Sequence, residues 1–355
     1  MSDRDRALEY LASVTADERT ELFRAAEAGD RDAEAAGAPS DAVEMDWTAA
    51  AVDRELPEAV LAMGGAPIVP VGEVALLAGF SGTGKSRLVA QIAAAAAGAE
   101  DGELAPVLYS CAVSAGRPGL GDALRVRGGP VVMVGYEDAP AWVRLRTAGA
   151  ARWLDGGGRG ACSRAVDAPE RLSAAVLETP LFAPPGREAD AAPTLAWQAV
   201  FDQAARIGAR LVVVDPISLA WDAGVDGYPA GPVNRCIVAL RAEAARLQAA
   251  ILLVAHLPKA ARIKRTADAG DVSGSAAWVD RVRGLLMLTR RDDEVSKDGE
   301  RQAPPWLGVA KANYCRSGDG VGWSLAPVMD SGRPLAWEAE DGEAQGGGIV
   351  PVTVA

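Results

Sequence analysis

The chain is poor in metal-binding and cross-linking residues. It has one histidine, His256, and four cysteines, Cys111, Cys162, Cys236 and Cys315, which lie far apart with no Cys-x-x-Cys pair. That excludes a zinc centre built on Cys/His spacing and a disulfide framework, and leaves free thiols in a reducing cytoplasm. Long apolar runs are also missing, since none approaches the roughly 20 residues that span a bilayer. The N-terminus, Met1-Ser2-Asp3-Arg4-Asp5-Arg6, is charged rather than apolar, so no secretory signal is expected. Basic charge is the third shortage. Lys plus Arg number 36 against 48 Asp plus Glu, a formal net charge of −12. Wholesale coating of nucleic acid, which needs clustered cations, is excluded, and any DNA contact must come from a local basic patch. A soluble cytoplasmic protein with no membrane partner is the expectation.

Against these absences stands Gly79-Phe80-Ser81-Gly82-Thr83-Gly84-Lys85-Ser86, a complete phosphate-binding loop. The strand-length apolar run Glu73 to Ala78 precedes it, and Arg87-Leu88-Val89-Ala90-Gln91-Ile92 opens an alanine-rich helix after it. The spacing follows from the chemistry. Glycines let the backbone curl so that successive N–H groups face phosphate oxygens, and the helix N-terminus adds its positive end. Lys85 would meet the β- and γ-phosphates, and the Ser86 hydroxyl would ligate Mg²⁺. Gly79, Ser81, Gly82, Thr83, Gly84 and Arg87 complete the expected nucleotide contacts. At average residue usage the bare pattern arises by chance in a chain of this length with a probability of roughly one per cent. No Asn-Lys-x-Asp base-reading segment is present, which sets GTP aside and leaves ATP with Mg²⁺.

The length of 355 residues suits one large α/β domain with an appendage. Residues 1–60 read as a flexible acidic segment of one or two short helices, 61–340 as the nucleotide-binding domain and 341–355 as a flexible tail. Strand-like runs recur at Pro130 to Tyr136, Ala209 to Asp215, Ala249 to Ala255 and Gly284 to Leu288, separated by helical stretches at Thr194 to Ile207 and Val233 to Gln248. Such alternation predicts a mostly parallel sheet covered on both faces. Trp306 to Ala312, Val321 to Pro327 and Pro334 to Ala339 predict antiparallel strands at one edge. Glu100 to Gly129, rich in Gly, Ser and Arg, reads as a long insertion. The tryptophans, including Trp142, Trp153 and Trp278 in helical patterns, read mostly as core or interface.

Two strands end in carboxylates. Leu211-Val212-Val213-Val214-Asp215 is the expected partner of the loop, with Asp215 in the Mg²⁺ shell. Val131 to Tyr136 ends in Glu137-Asp138; Glu137 is the first choice for the base that activates water, and Asp138 is the reserve because it also suits a helix N-cap. His256 ends the run Ile251 to Ala255, either as a reporter on the γ-phosphate or simply as a strand terminus. Lys259, Arg262, Lys264 and Arg265 then form a basic cluster in an acidic chain, read as a DNA-contacting loop or a solvated one.

With these elements in this order, joined by Asp215-Pro216-Ile217-Ser218, His256-Leu257-Pro258-Lys259, Gly274-Ser275-Ala276-Ala277-Trp278 and Lys311-Ala312-Asn313-Tyr314, residues 68 to about 330 resemble the RepA family. These are RecA-fold, ring-forming replicative helicases of plasmids and phages. The resemblance implies a RecA-like core, a hexameric ATPase moving on single-stranded DNA, and nucleotide bound between subunits. It implies that Glu137 activates water, that His256 senses the γ-phosphate and that a basic residue of the neighbouring subunit completes the site. Arg316 is the first choice for that residue, with Lys311 and Arg283 as alternatives. A replication initiator or primase is the further partner it suggests. Many relatives carry His-His where this chain has Ala255-His256. The rival expectations are a recombination or repair ATPase that coats DNA, and a nucleotide-gated loader or switch with slow turnover.

Overall fold

Apolar runs bounded by turn residues become strands, and the longest of them are buried on both faces. The computed structural model describes residues 58–63, 66–108, 124–156, 170–182, 193–221, 230–257, 272, 276–290, 305–312, 322–330 and 333–339. The strands are β1 (Ala59–Met63), β2 (Ala66–Pro70), β3 (Val74–Gly79), β4 (Leu104–Leu108), β5 (Leu124–Arg127), β6 (Val131–Gly135), β7 (Leu172–Val176), β8 (Leu211–Asp215), β9 (Ala250–His256), β10 (Gly284–Arg290), β11 (Pro305–Ala312), β12 (Gly322–Asp330) and β13 (Arg333–Ala339). The helices are α1 (Lys85–Gly98), α2 (Pro140–Gly156), α3 (Leu195–Ile207), α4 (Ile217–Ala220), α5 (Ala230–Leu247) and α6 (Ala276–Arg281).

The main sheet runs β13-β12-β11-β10-β3-β9-β8-β6-β7. From β10 to β7 every pairing is parallel, whereas β11, β12 and β13 continue the sheet antiparallel. This is the α/β class with a mostly parallel sheet and an antiparallel edge that the strand pattern predicts. Period-two alternation divides β3 between two cores: Ala75 and Leu77 face the cluster that holds α1, while Val74, Leu76 and Ala78 face the one that holds α3 and α5. Because both faces are covered, β3 reads as an unbroken apolar run.

The α1 core owes its closeness to small side chains. Ala93 to Ala97 are all fully buried, so the helix backbone lies close to neighbours on every side. One neighbour is a second sheet, ordered β2-β1-β5-β4 and antiparallel throughout. Here the structure departs from the sequence reading, since parts of the Glu100 to Gly129 insertion form β4 and β5 and enclose the loop helix. On the opposite face Thr194 caps α3, accepting from the Trp197 N–H, and Gly208 ends it at φ 64°. Phe182, Trp197, Phe201 and Trp221 pack ring against ring, with centroids 4.4–5.4 Å apart. Trp278 is buried as expected and Trp153 is half-buried, but Trp142 on α2 is 52% exposed. Among the described residues Cys236 is a buried free thiol, and no helix is long and apolar enough to cross a membrane.

Candidate nucleotide site

The phosphate loop lies between β3 and α1, at the carboxyl edge of the parallel strands, where open α/β sheets hold their ligands. Its glycines answer two different demands. Gly82 (φ 81°) and Gly84 (φ 91°) adopt left-handed conformations that side-chain-bearing residues rarely take, whereas at Gly79 a Cβ would lie 2.3 Å from the Leu288 carbonyl oxygen of β10. Thr83 Oγ1 donates to the Phe80 carbonyl at 2.8 Å and tightens the turn. Gly84 caps α1 without a side-chain hydrogen bond, and the first turn holds no acidic residue. The positive end of the helix is thus left for an anion.

Strand register brings the other candidates to this edge. Gly79 pairs with His256 across β3 and β9, and Gly135 pairs with Asp215 across β6 and β8. Lys85 Nζ donates to the carbonyls of Gly79 (2.8 Å) and Phe80 (2.9 Å) and lies 3.2 Å from His256 Nδ1. An ammonium can only donate, so Nδ1 accepts and the imidazole proton resides on Nε2. His256 Nε2 then donates toward Glu137 Oε1 at 3.3 Å. One chain of contacts therefore joins the loop lysine to the carboxylate after β6.

The adjacent carboxylates differ. Glu137 is half-exposed, while Asp138 is held by both guanidinium nitrogens of Arg146 on α2, one of them at 3.1 Å. Ala139, not Asp138, accepts the first backbone bonds of α2, from Trp142 and Val143. Burial holds the Asp215 carboxyl above its ordinary range; a hydrogen bond from Ser86 pulls the other way, and Glu137 and Asp138 add to the rise while Lys85 opposes it. Ser86, Asp215, Glu137, Asp138 and Arg146 line one cavity. Arg146 is absent from the sequence reading, because it reaches Asp138 from a helix across a loop and no periodic spacing marks the pair.

Among the described residues no group of three His, Cys, Asp or Glu is placed to hold a metal ion. The donors fit a hard cation that takes most of its ligands from phosphates and water: one hydroxyl, and one buried carboxylate whose ionised form burial disfavours. Ser86 and Asp215 would hold it. Both alternatives to Arg316 as the cation acting in trans have partners within the chain. Arg283 faces Glu73, with Nε 3.7 Å from Oε1, at the end of β3 opposite the loop, and Lys311 Nζ donates to the carbonyls of Val279 (2.8 Å) and Asp280 (2.9 Å) on α6. Arg316, Lys259, Arg262, Lys264 and Arg265 lie outside the described residues.

A family model described as AAA domain matches residues 38–262, more than half of the chain. The chain belongs to the AAA domain family. Membership agrees with the loop, the paired strands and the carboxylates just described, and makes this AAA domain protein a P-loop ATPase. No curated protein matches it. Among solved structures it is similar to a KaiC-like protein of the hyperthermophilic archaeon Pyrococcus horikoshii, 14% identical, with 76% of this chain and 90% of that chain covered at a TM-score of 0.46.

Proposed function

We propose that this AAA domain protein hydrolyses ATP with Mg²⁺ and couples turnover to movement on single-stranded DNA, in the manner of the RepA-type ring helicases that its motifs resemble. The observation that supports the reading best is the Lys85–His256–Glu137 chain of contacts. It joins the group that would touch the γ-phosphate to the one that would activate water, through a histidine at the end of the neighbouring strand. Mg²⁺, which Ser86 and Asp215 would hold, would supply positive charge to neutralise the phosphates. Backbone N–H groups of residues 82–86 bind the phosphates, and Lys85 exchanges its two carbonyl partners for phosphate oxygens. As Lys85 turns to phosphate, His256 gives up its hold on the ammonium and Glu137 is freed to orient a water and take its proton. Asp138, neutralised by Arg146, is the poorer base.

Movement on DNA would need the ring. Lys259, Arg262, Lys264 and Arg265 follow β9 directly, so a shift of His256 passes to that segment along a few residues of backbone. Arg316 from a neighbouring subunit would place a cation on the transition-state charge. The decisive measurement is the ATPase rate with and without single-stranded DNA, on protein whose oligomeric mass is known. DNA stimulation in a closed ring of fixed size supports the reading. Slow turnover indifferent to DNA would make the protein a nucleotide-gated switch or loader, and stimulation without a closed ring would make it a DNA-coating ATPase.

A further inference from the structure

Trp337 stands on β13, 253 residues after Gly84, yet its indole Nε1 donates to the Gly84 carbonyl at 3.3 Å. A Cβ at Gly84 would lie 2.5 Å from Trp337 Cζ2. Residue 84 must therefore be glycine for its left-handed backbone and again for the ring beside it. On the ring face sits Arg87, with its guanidinium carbon 5.0 Å from the centroid. Burial, with Arg146 nearby, lowers the Arg87 pKa, so this cation is partly desolvated and the indole is its partner.

The main chain of Trp337 is fixed as firmly. One turn along α1 from Arg87, the side-chain amide of the fully buried Gln91 accepts from the Trp337 N–H at 2.8 Å and donates to its carbonyl at 2.9 Å. Its second N–H reaches the Val107 carbonyl of β4 at 2.6 Å. Gln91 thus acts as a strand neighbour for β13 and ties the small sheet into the same knot. A buried amide is costly unless satisfied, and here its partners come from two strands distant in sequence.

We propose that Trp337, seated by Gln91, is a positioning residue for nucleotide binding: it sets the Gly84 carbonyl and the Arg87 cation so that the phosphate loop meets triphosphate already in its binding shape. This rests on reading Gly79 to Ser86 as the ATP site. The C-terminal hairpin β12–β13 is thereby part of that site as well as an edge to the sheet. Preorganisation of this kind lowers the cost of binding rather than changing the chemical step, so its loss raises KM and spares kcat.

The test uses the full chain with Trp337→Phe, Trp337→Leu and Lys85→Ala, measuring thermal melting, ATPase KM and kcat, and tryptophan emission during ATP titration. Trp337→Leu should melt cooperatively while its KM rises about tenfold, equivalent to roughly 1.4 kcal/mol, with kcat within about threefold of wild type. Trp337→Phe keeps a ring beneath Arg87 but lacks the Nε1 donor, so its KM should fall between the two, and the ATP-induced emission change of the wild type should shrink. An unchanged KM in both variants, with the emission change intact, overturns the proposal. If Trp337→Leu does not fold, the KM and emission of Trp337→Phe decide alone. Lys85→Ala tells the two readings apart: if it binds ATP as the wild type does, the site reading itself fails, whereas if it loses ATP while both Trp337 variants keep it, only the positioning role of Trp337 falls.

Discussion

Replacing Asp215 with Asn should make the protein more stable and its nucleotide site useless. Burial raises the carboxyl pKa, and the Ser86 hydrogen bond does not outweigh it. The sign follows from linkage. For an acid whose folded pKa exceeds its unfolded value near 3.9, the favourable contribution is full below that value and is lost as pH rises through the folded pKa. At neutral pH the ionised side chain therefore costs stability, about 1.4 kcal/mol for every tenfold by which folding weakens the acid. Asn has nearly the same shape, keeps an oxygen to accept from Ser86 and carries no charge. Each kcal/mol recovered raises Tm by about 2 °C at most in a chain of 355 residues, because the entropy of unfolding grows with length. Scanning fluorimetry in EDTA at pH 7.5 should show the variant melting higher, by a margin that narrows toward pH 4. Mg²⁺-ATP should reverse the order, because ligand at a hundred times its Kd stabilises a binding-competent protein by about 2.7 kcal/mol, and the variant forgoes the metal. A variant that melts lower in EDTA, or a gap indifferent to pH, refutes the reasoning.

The other site predictions divide by residue. Glu137→Gln should retain ATP but hydrolyse it about 10² to 10⁴ times more slowly, while Asp138→Asn, which only frees Arg146, should cost far less; the reverse ranking in single-turnover assays would reassign the base. Neutralising Lys259, Arg262, Lys264 and Arg265 together should leave basal ATPase intact and lower the log-log salt slope of single-stranded DNA binding by roughly 0.7 for each phosphate that is no longer neutralised; an unchanged slope would make the segment a solvated loop. Arg316→Ala and Lys85→Ala subunits should each be inactive alone yet regain measurable ATPase when mixed, since some interfaces then hold both parts; demonstrably mixed rings that stay silent would remove Arg316 as a finger acting in trans.

How far the sequence announced this site depends on the range of each interaction. The loop, β3 and α1 were legible because seven or eight contiguous residues carry both the backbone requirement and the chemistry, and because a strand buried on both faces must be apolar throughout. Asp215, Glu137 and His256 were legible one level up: Asp215 and His256 end strands of a parallel sheet and Glu137 follows the end of another by two residues, and parallel register places such ends along one edge whatever the loops between them do. The antiparallel strands at the edge were visible as the three short runs, Trp306 to Ala312, Val321 to Pro327 and Pro334 to Ala339, with which the end of the chain changes character. What stayed hidden was pairing between elements. The Asp138–Arg146 pair crosses from a loop to a helix, so no periodic rule points to it, and the insertion after α1 yielded strands only because β1 and β2 were there to complete a sheet. Gln91 is the instructive case. A single glutamine inside an alanine-rich apolar helix already signals an unmet demand, since a buried amide needs partners that its own helix does not supply. The sequence thus declared the need at position 91, but the partner lies 246 residues away, and only the order of strands in two sheets could bring Trp337 there.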